Sequence, residues 1–323
     1  MDESMFRFLA RQAGFAETGF SSAADFKAQQ RLVKSQPPLA ERRQLRFFPQ
    51  QDDPRTKSLA VLLWPYEEEA MPGWGCVFVD SYYAASNAAY HATRKLEEQI
   101  LAAGGFARAN APYPAREAAL RAGMGLLGKS GLLITPQFGT RVVLILMATD
   151  IKPERADCEA SSERSCLECG RCAAACPSGA LDRRGMSHPE RCMRNFMMEG
   201  VVVPESLRAR MGMRLLGCDI CQRVCPMQPP RPQQRSEDIA LDRFVTSDAQ
   251  LFSKSVEELA RRVGRNVARP QRVRAQAALL AGNRADRKDL PVLLEWAQSP
   301  FAAVREHALY AVRRLEEAGA FVP

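Results

Sequence analysis

The 323-residue chain has no hydrophobic run long enough to cross a bilayer. Its longest apolar stretches, such as residues 142–148 (VVLILMA), reach only about a third of the length a membrane helix needs. Its first residues, MDESMFRFLARQAGF, lack the basic segment followed by an apolar segment that marks a secretory leader. These two absences predict a cytoplasmic protein with no membrane association. Composition is otherwise ordinary for a globular chain, with 46% hydrophobic and 25% charged residues. Cysteine is the exception. Ten cysteines in a leaderless chain of this size argue against a disulfide framework and for metal or redox chemistry. A formal charge of +8 and a sequence pI of about 9.1 suit an anionic partner such as RNA, or a diffusely basic surface without one.

The length allows one large core or two to three smaller modules, and composition divides the chain into three parts. Residues 1–150 read as α/β. Residues 59–64 (LAVLLW), 76–79 (CVFV) and 141–149 (RVVLILMAT) are apolar runs of strand length. Between them, residues 84–101 show helical spacing, and residues 116–122 form an Ala-rich helical turn stopped by Gly123. Strands that alternate with helices predict an α/β layer architecture. Residues 151–230 hold nine of the ten cysteines, and residues 226–234 (PMQPPRPQQ) make an aperiodic connector.

Residues 235–323 read as helical. Residues 273–279 (VRAQAAL) are echoed as residues 304–310 (VREHALY), which predicts stacked helix pairs of the HEAT kind or, alternatively, a simple helical cap. Residues 254–284 carry Lys254, Arg261, Arg262, Arg265, Arg269, Arg272, Arg274 and Arg284 against Glu257 and Glu258. This is either a solvated basic face or a phosphate-binding one.

The cysteine spacing is the most specific signal. Cys166-x2-Cys169-x2-Cys172-x3-Cys176-Pro177 has the run of bacterial ferredoxins. A second set follows as Cys192, then Cys218-x2-Cys221-x3-Cys225-Pro226. In two-cluster proteins the cysteine before the proline ligates the other cluster. Cys166, Cys169, Cys172 and Cys225 are therefore expected on one [4Fe–4S] cluster, and Cys176, Cys192, Cys218 and Cys221 on the second, in a ferredoxin-like double-cluster domain. Zinc ribbons also use C-x2-C pairs but have no use for the doubled x3-C-P ending. Cys76 and Cys158 fall outside the pattern, as a buried thiol and a loop thiol.

Gly123-Met-Gly-Leu-Leu-Gly128-Lys129-Ser130 matches a P-loop letter for letter. A P-loop needs a strand before it and a helix after it. Here a helical turn precedes and an extended stretch, residues 131–135, follows, which argues against nucleotide hydrolysis. Such a loop can still hold a phosphate through backbone N–H groups.

Residues 122–144 (AGMGLLGKSGLLITPQFGTRVVL), followed by CLECGRCAAACPSGAL and GCDICQRVCP, resemble the epoxyqueuosine reductases. The likeness extends to residues 53–66 (DPRTKSLAVLLWPY) and to the helical tail, so it covers nearly the whole chain. The resemblance implies a corrinoid-binding domain, two [4Fe–4S] clusters and reductive removal of the epoxide oxygen from epoxyqueuosine in a tRNA anticodon loop. It also implies cobalamin contacts for Gly123, Gly125, Gly128, Lys129 and Ser130. One departure stands out. The family's catalytic aspartate falls on Ala109, while Pro112 and Arg116 match. Alanine cannot deliver a proton. Arg116 and Tyr113 are then the catalytic candidates, with Tyr90 or His91 as other proton sources and Tyr82, Tyr83 and Tyr90 as candidates for the tyrosine that the family places near its active site.

The chemistry expected is electron transfer from an external donor of flavodoxin or ferredoxin type, through two clusters, to a corrinoid cobalt that reduces the substrate. The basic tail would hold tRNA by its phosphates. An electron-transfer protein or reductive activator of another corrinoid protein, and a corrinoid reductase of a small molecule, are the alternatives.

Overall fold

The computed structural model describes residues 1–36, 44–158, 166–182, 185–186, 188–230, 235 and 237–319. The last residues of the expected connector, 231–234, and the end of the tail, 320–323, lie outside the described residues.

The first part of the chain forms α1 (Glu3–Gln12), β1 (Glu17–Ser22), α2 (Lys27–Lys34), α3 (Pro49–Asp52), β2 (Ser58–Pro65), β3 (Cys76–Val79), α4 (Ser81–Ala102), β4 (Ala107–Arg108), α5 (Ala115–Arg121), β5 (Leu126–Leu127), β6 (Leu133–Ile134) and β7 (Val142–Thr149). The main sheet has the order β1-β2-β7-β4, and every pairing in it is antiparallel. Strands and helices layer, and the main sheet is antiparallel throughout. The continuous apolar run of β2 follows from burial on both faces. Ala60 and Leu62 pack with Phe6 and Ala10 of α1 and with Ala89, Leu96 and Ile100 of α4. Leu59, Val61 and Leu63 face the other way, against Ala118 and Ala119 of α5, Met124 and Leu133. Helix α4 begins where the Asp80 carboxylate accepts the Tyr82 N–H at 3.0 Å. Its buried residues Ala85, Ala89, Leu96 and Ile100 recur at helical spacing.

The cysteine-rich part contributes α6 (Arg171–Ala175), β8 (Leu181–Asp182), β9 (Gly185–Met186), α7 (Met193–Glu199), α8 (Glu205–Arg208), β10 (Arg214–Leu216) and α9 (Ile220–Arg223). The tail adds β11 (Ile239–Ala240), α10 (Ala249–Val263), α11 (Pro270–Arg284), α12 (Leu290–Trp296) and α13 (Ala302–Gly319). Strand β3 leaves the main sheet. It pairs in parallel with β10 and antiparallel with β11, so one small sheet takes a strand from each of the three segments. The divisions at 150 and 235 are therefore not boundaries between separate cores. Val77, Val79 and Tyr83 share a core with Met193, Met197, Leu215 and Leu216 of the cysteine region and with Val273, Leu279 and Ala308 of the tail.

The two echoed segments lie on α11 and α13, which pack closely. A Cβ on Gly282 would sit 2.8 Å from the Ala311 Cα, so this crossing needs glycine. The basic segment does not form one face. Arg284 is buried in an ion pair with Asp289 at 2.7 Å and also pairs with Asp242. Arg262 bridges Glu69 and Glu237, and Arg274 stacks over Phe252 and Trp296. Charge on these three is spent on structure, whereas Lys254, Arg261, Arg265 and Arg269 remain exposed.

His307 ties the segment after α7 to the tail. Its Nε2 accepts the Val203 N–H at 2.9 Å, and its Nδ1 lies 2.8 Å from the Ala275 carbonyl oxygen. Burial pushes the imidazole pKa down from 6.5 to about 4. The unfolded chain then takes up a proton that the folded chain refuses. The stability this residue confers is complete above pH 6.5 and is lost as pH falls toward 4. In urea titrations, His307→Ala should cost about 1–3 kcal/mol at neutral pH, because the buried Val203 N–H loses its acceptor. The same substitution should flatten the pH dependence of the unfolding midpoint in that window.

Candidate iron–sulfur centre

Four thiols from the two cysteine sets meet on one small cavity. Cys166, Cys169 and Cys172 line it from the first run, and Cys225 reaches it from the end of the second. The other wall is the glycine-rich segment, through Gly128, Lys129 and Ser130. Cys172 has its thiol pKa raised by burial and by the neighbouring Cys225 and Cys169.

The other four cysteines form a second, more buried group. Helix α6, which ends at Cys176, packs against α9, which carries Cys221. Burial pushes the Cys218 thiol up to about 12, with Cys192 adding to the effect. Cys221 is raised as well, by burial first and then by Cys218, Cys192, Cys172 and Cys176 around it. Thiols gathered like this resist ionisation until a cation arrives, and metal binding is what deprotonates them. Cys176 differs. Burial raises its pKa, but the N–H groups of Leu181, Ser178 and Ala180 and the Ser178 hydroxyl outweigh that and lower it overall. The Cys-Pro turn thus wraps donors around its own sulfur. Among the described residues, no three His, Cys, Asp or Glu side chains converge as ligands of a single ion. That bears on a mononuclear site and not on a cube whose four irons each take one thiolate.

The loop that carries Cys218, Cys221 and Cys225 is held from the ends of the two central strands. Past β2, the Tyr66 hydroxyl donates to Gln222 Oε1 at 3.0 Å. Ahead of β7, the Thr140 hydroxyl donates to the same oxygen at 3.2 Å, and the Thr140 N–H donates to Gln228 Oε1 at 3.1 Å. Arg223 pairs with Glu68 at 2.8 Å and Asp219 at 2.6 Å, and donates to the Glu69 carbonyl at 2.6 Å. Arg141 also pairs with Glu68. Sequence reasoning missed this clamp, since none of its residues carries a motif. A signal existed in the second cysteine spacer, whose Gln222 and Arg223 flank a ligand position with long polar side chains. Asp80 was missed too. It is buried, with its pKa raised to about 6 by burial and by Asp219 beside it.

The glycine-rich segment is a hairpin and not a P-loop. Helix α5 precedes it, and β5 pairs with β6 without a following helix. Its glycines are explained by the chain itself. A Cβ on Gly125 would meet the Ile134 carbonyl oxygen at 2.4 Å, and one on Gly128 would meet Ile134 Cδ1 at 2.8 Å. Gly123 has φ +69°, and its added Cβ would strike the Cys158 Sγ at 2.9 Å. Arg116 is exposed, and its guanidinium donates to the Gly131 carbonyl, bracing the hairpin.

Ala109 and Tyr113 do not join this site. The Ala109 N–H donates to Glu97 of α4 at 3.0 Å, and its side chain packs on the α1/α4 face of the sheet. The hairpin lies against the opposite face, so an acid at position 109 would point away from it. Tyr113 is buried in the α5-side core, stacked 6.4 Å from Phe26, with its pKa pushed up to about 12 by burial. It is a packing residue and a poor acid. Tyr83 accepts from Arg194 at 3.2 Å, and Tyr82 lies under the same guanidinium, two positions from Cys192. Tyr90 and His91 are exposed together on α4. Cys158 is exposed in a loop; Cys76 is half-buried and not the fully buried thiol expected.

Two sets of four thiols, interleaved through cysteine-proline turns, define the class: an iron–sulfur protein with two clusters. Residues 165–228 match the 4Fe-4S double cluster binding domain. The particular likeness is to the epoxyqueuosine reductases. The enzyme of that name from Lactococcus garvieae is 30% identical over 208 residues, 61% of this chain and 57% of the relative. The Bacillus subtilis one is 38% identical over 112 residues, 35% of this chain and 28% of the relative. The matched sequence thus spans less than two thirds of these relatives. In fold, a crystal structure of epoxyqueuosine reductase superposes with a TM-score of 0.77 at 22% identity, covering 97% of this chain and 90% of that one. Another, holding a modified tRNA-Tyr stem loop, gives 0.75 at 22% identity, covering 99% and 94%. The chain therefore has the epoxyqueuosine reductase fold. Among the described residues, no helix is long and apolar enough to cross a membrane.

Because the hairpin lines the thiol cavity, its substitution should reach the clusters. Gly125→Val must displace the Ile134 carbonyl, at about 1–3 kcal/mol of overpacking. Iron and sulfide content after anaerobic reconstitution should fall, with the loss confined to the Cys166–Cys225 cluster. Unchanged content would show that the hairpin is not needed to close the site.

Proposed function

We propose that the chain is a reductase of the epoxyqueuosine reductase type, which uses two [4Fe–4S] clusters and a corrinoid to reduce a modified nucleoside in a tRNA stem loop. The observation that carries this reading is the meeting of Cys225 with Cys166, Cys169 and Cys172, within a fold shared with those enzymes across 97% of the chain. Cys166, Cys169, Cys172 and Cys225 would hold one cluster, and Cys176, Cys192, Cys218 and Cys221 the other. The corrinoid follows from the resemblance. Its support here is that the hairpin of Gly123, Gly125, Gly128, Lys129 and Ser130, the family's corrinoid wall, borders the same cavity as the first thiol group. The clusters supply single electrons and a corrinoid supplies a low-valent metal. The chain's own residues position and insulate: the Gln222–Arg223 clamp fixes the cysteine loop, and the hairpin covers the first group.

The tail, read as HEAT-like, is the proposed RNA-binding element. Arg269, Arg272 and Phe301 line an open cleft beside Val201 and Val202. Cations next to an exposed aromatic suit phosphate contact with base stacking. An electron donor of flavodoxin or ferredoxin type completes the scheme.

The test is reduction of a stem loop containing epoxyqueuosine, followed by mass spectrometry, using anaerobically reconstituted protein with cobalamin and a low-potential donor. Conversion is expected. No conversion with clusters and corrinoid both bound would overturn the substrate assignment. Arg269→Ala with Arg265→Ala should weaken stem-loop binding and reduce the salt slope by about one to two phosphates' worth. Cys225→Ser should abolish the cluster nucleated by Cys166, Cys169 and Cys172 while sparing its neighbour, as read by electron paramagnetic resonance. Loss of the other cluster instead would refute the crossed ligation.

A further inference from the structure

Lys129 and Glu168 face one another across the first thiol cavity. Lys129 stands on the glycine hairpin, and Glu168 lies inside the Cys166-Leu167-Glu168-Cys169 turn. The ammonium and carboxylate are 3.3 Å apart, with the lysine side chain 28% exposed and the glutamate 61%. Both residues line the cavity together with the four thiols. Glu168 holds φ at +50°, one of three such non-glycine residues among those described. Backbone strain of this kind marks a position set by its surroundings. The local consequence is a carboxylate in the spacer between two cysteines of one group, with Lys129 set against it.

An iron–sulfur cube with four thiolates carries about two negative charges, and about three once reduced. Each added electron is disfavoured by a nearby carboxylate and favoured by a nearby ammonium, and the more exposed Glu168 is the more strongly screened of the two. We propose that the Lys129–Glu168 pair sets the reduction potential of the first cluster, with Lys129 as the cation that keeps the reduced state accessible despite Glu168. Lys129 is thereby a positioning residue for charge, a role separate from any contact it makes with a corrinoid. The inference rests on the two-cluster reading above.

The experiment is a redox titration of the reconstituted full-length protein, followed by electron paramagnetic resonance, with iron and sulfide measured on every sample. Lys129→Gln leaves Glu168 uncompensated and should lower the potential of the first cluster. Glu168→Gln removes the carboxylate and keeps the lysine, and should raise it. A tenfold change in the reduced-to-oxidised ratio at fixed potential is expected in each case, about 59 mV for one electron. The double variant and Lys129→Arg should both return close to wild type, and the second cluster should move less in every case. Shifts of the same sign, or none, with full cluster content would overturn the proposal. So would loss of the first cluster in Lys129→Gln and Lys129→Arg alike, which would make the pair a structural tie. Wild-type protein that binds no cluster at all would instead defeat the two-cluster reading, a result distinguishable by the iron assay alone.

Discussion

Everything in this molecule turns on getting Cys225 across to a thiol group that begins about sixty residues earlier in the chain. In the run from Cys166, three cysteines line the first cavity, while Cys176 lies near Cys221 in the second group. The first group is completed only if α9 and the turn after it are held at a fixed height against α6. The clamp from Tyr66, Thr140, Glu68 and Arg141 onto Gln222, Arg223 and Gln228 does that. Its anchors sit at the ends of β2 and β7, the two most buried strands. The rigidity of the main sheet is in this way passed to the cysteine loop.

The same economy explains why the three segments do not behave as three domains. A double-cluster module of about sixty residues buries only a modest apolar core by itself. Here its β10 pairs with β3, and its Met193, Met197 and Leu216 join a core completed by the tail. His307 closes the arrangement by satisfying the Val203 N–H from α13. A tail with that duty cannot spend all its cations on a ligand, which is why Arg262, Arg274 and Arg284 are turned inward onto carboxylates and aromatic rings.

The hairpin has two neighbours to satisfy. Its glycines are dictated by Ile134 and Cys158, atoms of its own chain, and its Lys129 side chain reaches Glu168 in the cysteine turn. It is at once a wall of the thiol cavity and the surface that the family resemblance places against a corrinoid. Of the positions that the resemblance singled out, Tyr113 is packed against Phe26, and Ala109 packs on the α1/α4 face of the sheet.

By itself the sequence determined the features that depend on short-range spacing. The cysteine-proline runs set the spacing of the candidate cluster ligands along the chain, and that spacing is a local pattern. The apolar runs of β2 and β7 and the helical period of α4 are likewise local, and the structure carries them within three residues of where the pattern puts them. The reversed context of the Gly123–Ser130 segment was also legible, since a strand following the lysine can be read directly. What only the tertiary structure decided depends on side chains distant in sequence. It made the sheet antiparallel, sent β3 to a second sheet, and placed Ala109 and the hairpin on opposite faces. It also chose which arginines are structural, and brought Gln222 to Tyr66 and Lys129 to Glu168. No periodicity records these contacts. They arise when buried polar groups, having lost water, take whatever partner the packed fold brings within reach.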